Sequence, residues 1–256
     1  KLRGAKMEVI PSRVLNYLYI YLDIAFLLTL LAVLLVLKRY TAVIFGLLGG
    51  ILYFLVDFGG FYCLLGTRQV TGADPFWFLL WLSMSYGFTN FVWIWLWLDR
   101  DKHSLEWSVL IISGWLAVAL LSQNFGGQFD QITISRGTGS YHGIMALVLF
   151  VGYAILCIHN LRCTPEKRYP LLRILAIGIL VQFAWEFILL ITGIRAQGFG
   201  PILVNSLLET NLGMPYVYLI FVAVTARFTQ QLRPRTEKVS LTRRIQEINA
   251  QKVREG

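Results

Sequence analysis

Charge is scarce in this chain: Asp, Glu, Lys and Arg make up 14% of its 256 residues, against 57% hydrophobic residues, and the mean hydropathy is +0.63. Ordinary globular proteins carry about 25% charged residues to cover their surfaces. So few charges exclude water as the main solvent. Cysteine is equally sparse. Cys63, Cys157 and Cys163 are odd in number and lack metal-ligand spacing, which excludes a disulfide framework and a cysteine zinc site and leaves free thiols. Three histidines cannot supply a His-rich metal set, and neither Gly-x-Ser-x-Gly nor His-Glu-x-x-His occurs. The reading is of a protein with no metal, no cofactor and no recognisable catalytic motif.

What the chain has in abundance is long apolar runs. A bilayer core of about 30 Å needs about 20 apolar residues per helix, and seven runs of roughly that length stand between charges or turn residues. They cover Tyr17 to Leu37, Thr41 to Leu65, Phe76 to Leu98, Trp107 to Ser122, Tyr141 to Asn160, Pro170 to Thr192 and Ile202 to Ala226. The fold class expected is an all-α integral membrane protein with seven transmembrane helices. Trp77, Trp81, Trp93, Trp95, Trp97 and Trp107 fall mostly near segment ends, where amphipathic rings favour the headgroup zone. Nothing before Tyr17 has the apolar core of a signal peptide, so the first helix is expected to act as the insertion signal. Met7 is expected as the natural start, with residues 1–6 an extraneous remnant.

A net charge of +9 raises the question of nucleic acid, but the basic residues lie in loops and tail, where membrane topology accounts for them and no nucleic-acid partner is needed. The loops after the first, third and fifth segments, together with the tail and Arg173, hold 16 of the 23 Lys and Arg residues. The positive-inside rule then places the N-terminus outside and the C-terminus in the cytoplasm of a multi-pass plasma (inner) membrane protein. In the tail, residues 230–256, Leu241, Ile245 and Ile248 recur at helical spacing. That segment can rest on anionic lipid headgroups or remain a soluble tail.

An internal repeat is visible in the charged, Gly and Pro positions. Lys38-Arg39-Tyr40 opens the second segment and Lys167-Arg168-Tyr169 the sixth. Seventeen residues after each Tyr stands an acid followed by Phe, Asp57-Phe58 and Glu186-Phe187. Gly49 falls on Gly178 and Phe54 on Phe183; Arg68 and Arg195 lead to Pro75 and Pro201, after which Ser83, Ser85 and Gly87 align with Glu209, Asn211 and Gly213. Four crossings separate the copies, so both run in the same direction and the fourth helix inverts the chain: a parallel 3+1+3 arrangement. The divisions that follow are an N-terminal segment 1–16, a first three-helix repeat 17–106, a linker helix with outer loop 107–140, a second repeat 141–229 and a basic cytoplasmic tail 230–256. In architecture this resembles the SWEET sugar facilitators and the nicotinamide riboside transporters, whose two three-helix bundles enclose a substrate site. The Pro-Gln signature of the SWEET type is missing, since Phe76 and Ile202 follow the prolines, and no binding residue carries over. Microbial rhodopsins also have seven helices, but Ile202 to Ala226 contains no lysine for a retinal Schiff base.

An ionised carboxylate at the bilayer centre costs about 2.5 to 3.5 kcal/mol, so each acid there needs a partner or a purpose. Asp23, Asp57, Glu186 and Glu209 all fall within the segments, and helical rise puts all four in the outer half. At similar depth lie Gln182, Trp185, Asn205, Asn211, Tyr86 and Asn90, which together suggest an acidic, aromatic-rimmed pocket opening outward. A structural alternative stays open: Asp57 and Glu186 can pair with Arg68 and Arg195 and tie helix ends together. Asp23 and His142 are the candidate proton-linked groups, Asp23 reading otherwise as a helix interface and His142 as a solvated histidine at a helix mouth. Glu209-Thr210-Asn211, next to Gly213 and Pro215, is a combination that loosens a helix. Gly46 and Gly50 allow close helix contact, and the loop Asn124 to Ser140 reads as a flexible outer cover.

These features favour a transporter or facilitator of a small polar or cationic solute, the lipid bilayer and the solute being its partners. Two alternatives stand beside it: an intramembrane lipid-modifying enzyme using paired carboxylates, and a receptor or scaffold acting through its tail. The oligomeric state is not legible.

Overall fold

A computed structural model describes residues 12–136, 141–195 and 198–232; the tail stripe from Leu241 and the start at Met7 lie outside the described residues. The chain divides into two compact units, Lys1–Tyr216 and Val217–Gly256. It is mostly helical. Five helices are long and apolar enough to cross a membrane: Tyr17–Val36, Tyr40–Leu64, Ser104–Phe125, His142–Arg162 and Pro165–Ile191. Their polarity is inverted relative to a soluble protein. Leu64, Leu161 and Leu172 are more than four-fifths exposed, while Asp23 and Glu186 are completely buried. Only a surrounding hydrocarbon makes that distribution favourable, and the chain is a membrane protein.

In chain order the elements are β1 (Ser12–Asn16), α1 (Tyr17–Val36), α2 (Tyr40–Phe54), β2 (Arg68–Thr71), α3 (Pro75–Leu98), α4 (Ser104–Phe125), β3 (Gln131–Arg136), α5 (His142–Arg162), α6 (Leu171–Ile191), α7 (Phe199–Leu208) and α8 (Met214–Leu232). α2 runs on as a π-helix over Leu55–Leu64. Each apolar run of the sequence contains helix, with ends moved by at most three residues for the first six. The seventh differs. Ile202 to Ala226 reads as one helix, whereas the chain forms α7, a turn over 209–213, and α8. The amides of Glu209 and Leu212 still bond four residues back, to Asn205 and Leu208, but those of Gly213 and Met214 close tighter turns on Thr210 and Asn211. Gly213 and Pro215 supply the reason, the one by its freedom and the other by lacking an N–H.

α3 is the central helix, packing against α1, α2, α4 and α6. Asp74 caps it, its side chain accepting from the Trp77 amide at 3.1 Å, and Pro75 occupies the first turn. It is 24 residues long yet not among those five, because its tryptophans, Ser83, Ser85 and Asn90 lower its hydropathy. Trp93, Trp95 and Trp107 are buried: they pack inside the protein instead of facing lipid headgroups, and the Trp93 and Trp97 indoles both donate to Ser108 Oγ, at 2.7 and 3.1 Å. Against α2 the fit is backbone to backbone. A Cβ on Gly87 would lie 2.8 Å from the Gly50 Cα, and Gly46 and Gly49 leave room for Phe88 and Phe91. The small-residue spacing on α2 is therefore packing.

Three strands form an antiparallel sheet in the order β1-β3-β2. Ser12 pairs in register with Ser135, Arg68 with Arg136, and a further bridge joins Arg13 to Arg195. These pairings gather the segments before α1, between α2 and α3, between α4 and α5, and between α6 and α7 at one end of the bundle. The loop after Asn124 is thus no loose cover, since its Gln131–Arg136 portion is the middle strand; 137–140 lie outside the described residues. At the other end, Lys38 and Arg100 adopt left-handed backbone, with φ of 58° and 55°. The next amides, of Arg39 and Asp101, reach back to Leu34 and Leu96 at 2.8 and 3.0 Å, so α1 and α3 terminate alike. Arg39 and Asp101 then join the two turns by an ion pair at 2.5 Å.

Candidate functional site

Two buried ion-pair clusters lie beneath the sheet. In one, Glu186 of α6 takes Arg13 Nη2 of β1 at 3.1 Å and is paired directly to Arg195. Asn205 of α7, its amide oxygen toward the guanidinium, accepts from Arg195 Nη2 at 3.1 Å. Glu186, Arg195 and Arg13 are at most 3% exposed. In the other, Asp57 in the π-helical stretch takes Arg68 Nη2 of β2 at 2.5 Å through one oxygen and the Tyr86 hydroxyl at 2.5 Å through the other. The Arg68 guanidinium also lies over the Phe61 ring, 4.8 Å from its centroid.

From Glu186 the polar network descends along α6 to the break after α7. Gln182, one turn earlier, donates to Glu186 Oε1 at 3.3 Å and to Glu209 Oε2 at 3.2 Å, and its own oxygen accepts from Thr210 at 2.5 Å. Next to it, Asn211 Oδ1 accepts from the Tyr153 hydroxyl of α5 at 2.7 Å. The π-helical stretch and the break at 209–213 both depart from regular α-helix, and each carries an acid, Asp57 and Glu209. Irregular backbone at membrane depth is tolerated where protein or a cavity surrounds it.

Aromatic rings connect the two clusters. Tyr86 and Trp185 are near-parallel, their centroids 6.4 Å apart and planes inclined by 20°; Trp185 rests on Trp115 at 4.9 Å, and Tyr53 lies 4.8 Å from Tyr86. The Tyr53 side chain stands close to Thr210 and Asn90 and within electrostatic reach of Asp57 and Glu209. Among the described residues, Asn90, fully buried on α3, has no hydrogen bond of ordinary geometry at either amide atom.

Of the residues singled out in the sequence, the structure brings Glu186, Gln182, Glu209, Asn205 and Asn211 into one neighbourhood. Asp57, Tyr86 and Trp185 form an adjoining group, and Asn90 is reached through Tyr53. Asp23 stands apart: it accepts from Trp81 Nε1 at 3.0 Å and ties α1 to α3. His142 opens α5, and among the described residues no hydrogen bond ties it to the clusters. Asp57 and Glu186 take the pairing with Arg68 and Arg195 that the sequence left open. Three guanidiniums therefore meet these two carboxylates. Arg13, Tyr53 and Tyr153 were not singled out, and Thr210 stood out only within the helix-loosening Glu209-Thr210-Asn211. Arg13 had a signal, because Ser12-Arg13 and Ser135-Arg136 are the same dipeptide; Tyr53 and Tyr153 had none beyond their aromaticity.

Chemically the assembly offers hydrogen-bond donors and acceptors, aromatic faces and pre-neutralised charge. Asp57 and Glu186 are each matched to guanidinium groups instead of to one another, which does not resemble an acid and base sharing one reacting bond. No family model, curated protein or solved structure matches this chain.

Proposed function

We propose that this chain is a transporter or facilitator of a small polar solute in the plasma membrane, with seven crossings in a parallel 3+1+3 arrangement. In this reading the N-terminus lies outside, the seventh crossing is α7 followed by α8, and the sheet closes the outer end. The observation that carries the proposal is the interrupted helix at 209–213, whose Glu209 and Thr210 meet Gln182 among residues drawn from α2, α3 and α6. Transporters characteristically bind solute where a discontinuous helix meets the partner repeat near the bilayer midplane.

The strand register supports the repeat. Arg13 bridges to Arg195 and Arg68 pairs with Arg136, so the same types of residue recur on exchanging β1 with β3 and the segment after α2 with the segment after α6. Ser12 and Ser135, the residues preceding Arg13 and Arg136, pair with each other, as expected near a two-fold axis. Under that exchange Asp57-Arg68 corresponds to Glu186-Arg195. Two related halves can pack in two ways about one site, which is the usual route to alternating access.

The test is solute flux into proteoliposomes from a panel of sugars, nucleosides, amides and amines. Flux that falls in Gln182→Leu and Thr210→Val, both with near-normal melting temperatures, supports the site. Wild-type flux in both variants refutes the site assignment, and no flux with any solute refutes transport.

A further inference from the structure

The buried amide of Asn90 stands out among the polar groups of the bundle. We propose that Asn90 recognises the solute, and that the solute is uncharged and planar, with a hydrogen-bond donor and acceptor side by side, as on a primary amide or a pyrimidine-type base. The proposal rests on the transport site above and names what that site selects.

Asn90 is 0% exposed, and among the described residues neither its Nδ2 nor its Oδ1 makes a hydrogen bond of ordinary geometry, the Tyr53 side chain being the polar group that interacts with it. A buried polar group left unmet costs free energy and calls for an explanation. An Asn amide presents a donor and an acceptor in one plane, and its complement is an edge offering an acceptor and a donor at the same spacing. Asparagine reads adenine by that pairing. With no more than the Tyr53 side chain beside it, the under-satisfied amide thus specifies a chemical edge and not merely polarity.

The neighbours specify the rest. Asn90 lies four residues after Tyr86 on α3 and so shares its face, and Tyr53 stands beside both. Tyr86 in turn runs near-parallel to Trp185 of α6. A flat ring docked on the Asn90 edge has aromatic faces from both halves of the protein to lie against. Charge works against an ionic solute. Asp57 and Glu186 are already matched by Arg68, Arg13 and Arg195, so a cation gains little from those two; Glu209 accepts from Gln182, and desolvating any ion is costly.

The experiment uses the full chain in lipid nanodiscs and four probes of similar size: benzamide, uracil, benzoate and benzylamine. Binding is read by calorimetry and by the shift in melting temperature, which rises when a ligand binds only the folded state. Benzamide or uracil should bind the wild type while benzoate and benzylamine do not, and Asn90→Leu should weaken that binding at least about tenfold, the equivalent of one net hydrogen bond. The same variant should melt no lower than the wild type, because an unmet polar group has been replaced by an apolar one. Asn90→Ser serves if the leucine does not fold. Equal binding to wild type and variant, preference for either charged probe, or no binding of either neutral probe up to about 10 mM, a millimolar affinity being worth only about 4 kcal/mol, overturns the proposal. Binding lost in Asn90→Leu without any proteoliposome flux keeps the recognition role and refutes transport; flux indifferent to Asn90→Leu does the reverse.

Discussion

Replacing Glu186 by Gln leaves two buried guanidiniums, Arg13 and Arg195, facing a neutral amide. Both are at most 3% exposed, and Glu186 is completely buried, so solvent cannot take over the role of the carboxylate. Removing one member of a buried ion pair costs about 3 to 5 kcal/mol, because the remaining charge stays desolvated. At about 2 to 4 °C per kcal/mol for a chain of this size, Glu186→Gln should lower the melting temperature by about 6 to 20 °C. Asp57→Asn should fall near the lower end of that range, since only Arg68 is stranded and it retains the Phe61 ring at 4.8 Å. The assay is thermal unfolding of the purified variants in one detergent at one protein concentration.

A double-mutant cycle separates the ion cluster from general disturbance of α6. Adding Arg195→Met to Glu186→Gln removes one of the stranded cations, so the pair should be less destabilised than the sum of the single variants, with a coupling above about 0.5 kcal/mol. The triple replacement Arg13→Met, Glu186→Leu and Arg195→Met should recover stability further, since apolar substitutes for a whole buried ion cluster are often neutral or stabilising. A Glu186→Gln protein melting within about 1 °C of wild type, or strict additivity with Arg195→Met, refutes the account of Glu186 as a doubly paired buried anion.

Gly87→Ala should destabilise by about 1 to 3 kcal/mol, the range for overpacking, because the new methyl meets the α2 backbone at Gly50; a melting temperature equal to wild type counts against the close α2–α3 approach. Arg100→Gly should stabilise by about 0.5 to 1 kcal/mol, since glycine adopts the positive φ without the penalty an arginine carries, and a lower melting temperature counts against it. Gln182→Leu should abolish solute flux, since Glu209, Thr210 and Glu186 all lose a shared partner; retained flux removes Gln182 from the site. Cys63 is exposed beside the sheet end and Cys163 half-buried at the other, so a membrane-impermeant maleimide applied to intact cells should label Cys63 and spare Cys163. The opposite pattern reverses the orientation.

The helices were the legible part of the chain because their cause is local: a run of apolar residues between charges sets both the existence and the length of a spanning segment. The acids were legible for the same reason, each being an expensive exception within such a run. Their partners were partly legible, since Arg68 and Arg195 follow the acids by 11 and nine residues. Arg13 was not, because its approach to Glu186 depends on β1 pairing with β3 and bridging to Arg195. The sheet escaped notice because its strands are only four to six residues long and their partners lie far away in sequence, so no local pattern distinguishes them from loops.

The tryptophans show where residue type alone misleads. Trp93, Trp95 and Trp107 lie near segment ends, as rings at a headgroup boundary do, yet they are at most 5% exposed. α3 is enclosed by α1, α2, α4 and α6, and a tryptophan on an enclosed helix packs on protein whatever its depth. The same enclosure explains why α3 is polar enough to fall below the hydropathy of its neighbours and still belong in the bundle: a helix that meets little lipid is free to carry Ser83, Ser85 and Asn90. In a membrane protein an enclosed helix that carries polar residues is therefore the one to search for a site, and it is on α3 that Tyr86 and Asn90 stand, beside Tyr53 of α2 and Trp185 of α6.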